Sequence, residues 1–341
     1  MYSFLNDYSE GAHDRIIDAL VRTNHEVTVG YGMDEYSDMA KKRIIDEIGV
    51  DADVHFLLGG TQANLCVISY LLKPYEAVIA CDTGHINVHE AGSIEATGHK
   101  VLPVNNKDGK LTVNDIREVM SLHHNEHMVK PKMVYISNST EIGSVYTKDE
   151  LEEIYRYTKE NDLYFFIDGA RLANAIMAEG SNLTLHDVAV NSDVFYIGGT
   201  KNGLLFGEAV IFKDKKLSDS FRYTMKQRGA ILAKGRILGV QFNELFKDGL
   251  YYEMAKHANS LAMKIQDTLI ELNVPLVVKS TTNQIFPVFS HEIIEKMKEK
   301  YLFEEWSTID DKHTAIRFVT SWDTKEEVVD YLINDLKELF K

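Results

Sequence analysis

The chain of 341 residues carries 37 Lys and Arg against 52 Asp and Glu, a formal net charge of −15 at pH 7. That balance argues against nucleic acid as a partner, because no surplus of cations is available to neutralise phosphates. Only two cysteines, 45% hydrophobic residues, no amino-terminal signal pattern and no apolar run near the roughly 18 residues of a membrane helix point to a cytoplasmic globular protein with no membrane contact.

From residue 53 onward, short apolar runs alternate with helical patterns. Runs at 53–58, 77–81, 100–104, 132–137, 163–168 and 193–199 read as strands, and 61–72, 89–97, 112–124, 147–161 and 170–180 as helices. Continuous apolar strands between amphipathic helices are what a parallel sheet covered on both faces requires. Thr147 with Glu150 and Thr324 with Glu327 read as capping boxes at helix starts. Beyond about residue 212 the texture changes. A long helical region (215–272) leads to short runs at 275–280, 283–290 and 313–321 and a final helix over 324–340. The expectation is an α/β large domain over 1–240, including the amino-terminal segment. A small α+β domain with an antiparallel sheet follows over 241–341. No flexible linker separates them, so they are expected to dock.

Ligands of open parallel sheets bind at the carboxyl ends of the strands, which directs attention to the residues there. "GGTQAN" (59–64) joins a strand to a helix, with Thr61 as the expected N-cap and a helix N-terminus suited to phosphate; a simple capped turn is the plain alternative. His85 and Glu90 fall in "TGHINVHEAG". "FFIDGAR" ends a wholly apolar strand in Asp168, with Arg171 as the simplest ion-pair partner. "YIGGTKNG" places Lys201 at the end of the next strand, with neighbouring glycines that would leave room for a ligand beside the backbone. His123, His124 and His127 sit at a polar helix end without a carboxylate or cysteine set, so no metal is expected. No GxxxxGK[ST], GxGxxG or GxSxG motif occurs. A phosphate-type loop, a histidine, a strand-end Asp and a strand-end Lys, in that order, suit pyridoxal 5′-phosphate. That cofactor needs a lysine, an acid for its ring nitrogen and a helix N-terminus for its phosphate.

On "LND" (5–7), "YGMDEYS" (31–37), "GGTQAN", "HINVHEAG", "IDGARLANA" (167–175), "GGTKNG" and "IRFVTSWDT" (316–324), the chain resembles the threonine aldolase / β-eliminating lyase family. That family lies within the fold-type I, aspartate aminotransferase-like pyridoxal phosphate enzymes. The resemblance implies that Gly60, Thr61 and Gln62 hold the cofactor phosphate, with Thr200 beside them. It implies that His85 stacks on the ring, Asp168 pairs with the ring nitrogen and Lys201 forms the Schiff base. Arg171 would lie near the cofactor's phenolic oxygen or the substrate carboxylate, and Arg317 would clamp that carboxylate. Tyr31 would come from a neighbouring subunit, implying a homodimer or homotetramer.

The implied reaction cleaves a β-hydroxy-α-amino acid, threonine or allo-threonine, to glycine and an aldehyde. Departures from the family pattern bear on the substrate. Glu141 stands where a histidine near the substrate hydroxyl is expected; it would act as a catalytic base if burial raised its pKa, or, ionised, would favour an amine-bearing substrate, and Asn6 replaces a serine. The cation completing the phosphate site would be Arg228 or Lys234. The alternatives are β-elimination or aminotransfer on another amino acid, or a non-catalytic small-molecule-binding α/β protein.

Overall fold

Apolar runs flanked by amphipathic helices can bury both faces only as a central sheet, and this is what the chain builds. The computed structural model describes residues 1–106 and 108–340. Its strands are β1 (Tyr2–Ser3), β2 (Asp53–Leu57), β3 (Glu76–Cys81), β4 (Lys100–Val104), β5 (Lys130–Ser137), β6 (Tyr164–Asp168), β7 (Val194–Gly198), β8 (Glu208–Phe212), β9 (Gln284–Ile285), β10 (Val288–Ser290), β11 (Tyr301–Leu302), β12 (Glu304–Thr308) and β13 (His313–Val319). The large sheet has the order β2-β8-β7-β6-β5-β3-β4, and β8 alone runs antiparallel to its neighbours. Two apolar clusters cover its faces, one centred on Val54, Ile79, Phe165 and Ile211, the other on Val67, Val78, Phe166 and Val210. Neighbouring residues of β6 thus point to opposite clusters, as the two-residue period of a strand demands.

The carboxyl-terminal part holds an antiparallel sheet in which β13 pairs with β9, β10 and β12. A third cluster, including Phe289, Ile316 and Leu332, lies beneath the helix Glu326–Leu339. The first residues of the chain join this part. β1 pairs in parallel with β11, and Phe4 is fully buried in the third cluster.

Several expectations need amendment. The long helical region breaks into Phe221–Gln227, Arg236–Leu245 and Leu250–Glu271, with glycines in left-handed conformation at Gly229 and Gly249. The helix expected over 89–97 is a short turn of helix at His85–Val88 followed by a 3₁₀ turn at Glu95–Thr97, and that expected over 170–180 reduces to Leu172–Ile176. Residues 275–280 form no strand; only Leu276 bridges Pro287, flanked by hydrogen bonds from the Val277 N–H to the Phe286 carbonyl and from the Val288 N–H to the Pro275 carbonyl. β1, β8, β11 and β12 lie outside the runs expected to form strands. The Thr147 capping box is present, but the last helix begins after Lys325, and Thr324 instead accepts a hydrogen bond from the Ser321 N–H.

Candidate active site

Strands β2, β3, β5, β6 and β7 end at one edge of the sheet. Being antiparallel, β8 begins there. Register pairs Ser137 with Asp168 and Gly198 with Glu208, so the acids at 168 and 208 and the turn bearing Lys201 share that edge. Each is reached by a strand whose apolar residues are locked into the core, which fixes where its terminal polar residue lies.

Asp168 is 3% exposed and does not pair with Arg171. Its carboxylate accepts hydrogen bonds from Tyr135 Oη (2.6 Å), Asn64 Nδ2 (3.1 Å) and the Ala170 N–H (3.0 Å). Burial opposes its ionisation, yet the nearby His85 and the Tyr135 and Tyr196 hydroxyls hold its pKa below the usual carboxylate value. Asn64 Nδ2 also donates to Glu90 (2.8 Å), and Glu90 holds His85 Nδ1 at 2.7 Å. One polar chain therefore runs from the helix Gly60–Leu71 through Glu90 to the His85 ring and Asp168. Asn64 Oδ1 is left buried without a partner among the described residues.

Lys201 lies in the turn after β7, its amine 5.9 Å from the Tyr8 ring centre. Burial, and then the Arg171 charge, lower its pKa below that of an ordinary lysine, against the opposing pull of Asp7, Asp168 and Glu208. A buried lysine so placed has more of the neutral amine that acts as nucleophile. Thr200 does not turn its hydroxyl outward as expected for a phosphate ligand. It donates to Glu208 Oε1 (2.9 Å) and accepts from the Gly207 N–H (3.0 Å). The adjoining glycines also serve the protein's own packing rather than a ligand. A Cβ on Gly198 would meet the Ala170 carbonyl at 2.5 Å, and one on Gly199 would meet Leu204 at 2.3 Å.

Above these groups opens a cavity of about 440 Å³. Among the expected site residues, Asn6, His85, Glu141, Arg171, Lys201 and Arg317 all line it. Arg171 grips Asp7 with two hydrogen bonds, Nε–Oδ2 at 2.7 Å and Nη2–Oδ1 at 3.0 Å, and Asn283 Nδ2 donates to the same carboxylate at 2.9 Å. Burial opposes the charge on Asp7, but Arg171 and Lys201 hold its pKa low. Asn6 caps its own turn, accepting from the Tyr8 N–H and Ser9 Oγ. Glu141 Oε1 accepts from Ser137 Oγ (2.6 Å) and from the His85 N–H (2.8 Å), and burial raises its pKa. Arg317 pairs with Glu304 and lies over Trp306, 5.1 Å from the ring centre, while its Nε is buried without a partner.

Other expected residues lie apart. Thr61 is not the N-cap: Gly59 is, without any side-chain cap, and Thr61 stands exposed in the first turn. Gln62 Oε1 accepts from the Leu58 N–H (3.2 Å), bracing the Gly-Gly turn. Tyr31 is half exposed beside Arg222 and Lys226 and does not line the cavity of its own chain. Arg228 donates to Ser69 two turns along the helix from Thr61, and Lys234 lines a separate groove with Val27 and Val29.

The residues present fit pyridoxal phosphate. Asp168 is a buried carboxylate served by neutral donors, with no Lys or Arg paired to it among the described residues, so a protonated ring nitrogen would complete it. The helix Gly60–Leu71 starts with free first-turn N–H groups and no capping side chain, and a Cβ on Gly59 would meet nothing within 4 Å. Lys201 and His85 line the cavity between.

Comparisons with known proteins show the family. The Beta-eliminating lyase family model matches residues 10–292. The chain is 33% identical to the low specificity L-threonine aldolase of Pseudomonas sp. (strain NCIMB 10558) over 98% of this chain and 96% of that one. It superimposes on a Leishmania major threonine aldolase with TM-score 0.99 and 44% identity over the whole of both chains. A Thermus thermophilus aspartate aminotransferase variant matches at TM-score 0.73 and 14% identity, covering 99% of this chain and 91% of that one, a likeness of fold.

Proposed function

This chain belongs to the beta-eliminating lyase family, with the fold-type I architecture, and we propose that it is a pyridoxal phosphate-dependent aldolase of low specificity, splitting threonine and allo-threonine to glycine and acetaldehyde. The observation that carries this reading is the placement of Asp168 and Lys201 at the same edge of adjacent strands, with Asp168 buried and without a hydrogen-bonded Lys or Arg among the described residues. Bound pyridoxal phosphate supplies a ring that accepts the electron pair left on Cα when a bond to that carbon breaks.

The protein's residues do the rest. Asp168 favours the protonated ring nitrogen, held in place by Tyr135 and Asn64. Lys201 would hold the cofactor through its amine, which the lowered pKa keeps available as a nucleophile. His85, anchored by Glu90, offers a fixed face for ring stacking. The N–H groups of Gly60, Thr61 and Gln62 take the phosphate. Arg317 receives the substrate carboxylate in a two-pronged contact in exchange for Glu304, and Arg171, held by Asp7, lends a second positive charge. Asn6 borders the substrate, and Glu141 braces the His85 loop against the end of β5.

We further propose two docked domains, 1–240 and 241–341, with β1 and Phe4 packing on the second. No helix among the described residues is long and apolar enough to cross a membrane, and both cysteines are free and buried, in keeping with a cytoplasmic site of action. A homodimer or homotetramer is expected from the exposed Val21, Val27, Val29, Tyr31 and Met33, a run of apolar surface that a second copy would cover, with Tyr31 reaching that copy's site.

The test is a product assay. Cofactor-loaded protein given L-threonine or L-allo-threonine should release equimolar glycine and acetaldehyde. Release of pyruvate or another 2-oxo acid from other amino acids, with both threonines inert, would move the protein to β-elimination or aminotransfer.

A further inference from the structure

Retro-aldol cleavage needs a group to take the β-hydroxyl proton, and the cavity offers few. His85 Nδ1 is tied to Glu90. Glu141 has one oxygen engaged twice, by Ser137 and by the His85 N–H. Glu304 is paired with Arg317. His89, one helical turn beyond His85, is different. It lines the same cavity, is exposed at its mouth, and neither ring nitrogen has a hydrogen-bond partner among the described residues. Its ring is held between His85 (5.6 Å between centres) and Trp306 (6.1 Å), on the side where Arg317 waits for a carboxylate.

We propose that His89, not Glu141, is the catalytic base for the β-hydroxyl; this rests on the aldolase reading above. In the step, a His89 ring nitrogen takes the hydroxyl proton. The O–H electron pair becomes the second C–O bond of the aldehyde as Cα–Cβ breaks. The pair from that bond stays on Cα, where the cofactor would supply the electron sink, until a proton arrives there to give glycine. Imidazolium at the cavity mouth returns its proton to solvent. Burial, and then the charges of His85, Arg317 and Lys201, keep His89 below the usual histidine pKa against the pull of Glu304, so the imidazole is neutral and ready to accept a proton near pH 7.

The experiment compares cofactor-loaded wild type, His89→Asn, His89→Phe and Glu141→Gln in two reactions: threonine cleavage, and exchange of the glycine α-hydrogen in D2O, which uses Lys201 and the cofactor but no hydroxyl. Both His89 variants should lose about 100-fold or more in kcat for cleavage with KM little changed. Both should keep glycine exchange, and added imidazole should partly restore cleavage. Glu141→Gln should lose less kcat than either. Near-normal cleavage by the His89 variants overturns the assignment. So does equal loss of cleavage and glycine exchange, or a larger kcat loss in Glu141→Gln. Wild type that exchanges glycine but cleaves neither threonine overturns the aldolase reading itself, and this assignment with it.

Discussion

Glu208 is the residue whose ionisation the fold alters most legibly. Its carboxyl is buried under the Lys201 turn, where it accepts from the Thr200 hydroxyl and the Gly199 N–H. Burial raises its pKa to about 8, against the pull of Thr200 and Lys201. Between the ordinary carboxylate value of 4.5 and about 8, the folded protein therefore holds a proton that the unfolded chain has released. Stability from this group is fully present below the lower value and is lost as pH rises through the upper one. Glu208→Gln should flatten the fall in unfolding free energy from pH 5 to 8, measured by denaturant titration; an unchanged slope would mean that Glu208 is ionised in the fold.

At this scale the sequence was half legible. Asp168 stands out because it ends an apolar strand and Lys201 because it lies in the turn just after one, where a charge needs a reason. Asp7 and His89 do not, because their importance comes from partners far away in the chain, Arg171 and Trp306; Glu208 does not, because the antiparallel return that sets it beside the 199–200 turn carries no sequence signal.

Elements were more legible than contacts. The six runs before residue 200 became strands because both faces of each are covered, a demand visible in the unbroken apolar pattern. β8 is not legible in the alternation because it follows a glycine-rich turn and returns antiparallel, against the pattern that precedes it. The glycines at strand ends suggest room for a ligand in the sequence, but in the fold they record how closely elements approach one another. Gly169 is the sharpest case: a Cβ there would lie 1.8 Å from the Tyr196 carbonyl oxygen. Gly169→Ala should push β6 and β7 apart and cost about 3 kcal/mol or more. Gly11, where a Cβ would meet nothing within 4 Å, should tolerate alanine within about 0.5 kcal/mol. Denaturation midpoints compare the two; equal tolerance would show that the strand ends can give way.

Over the whole molecule, the site is a meeting of distant segments. The Asp7–Arg171 pair ties the amino terminus to the end of β6, Asn283 joins it from the carboxyl-terminal part, and Arg317 reaches in from β13. Breaking such a buried pair would leave an uncompensated buried charge, so the Asp7–Arg171 contact holds the amino terminus to the end of β6. Motif order made the convergence on Lys201 legible; the tether through Asp7 required the fold. The most direct measurement is borohydride reduction of the cofactor-loaded protein, followed by peptide mass analysis. One reduced cofactor should be found, on the peptide carrying Lys201, and none in Lys201→Ala. A label on another lysine, or no label on the wild type, would contradict the assignment of this site.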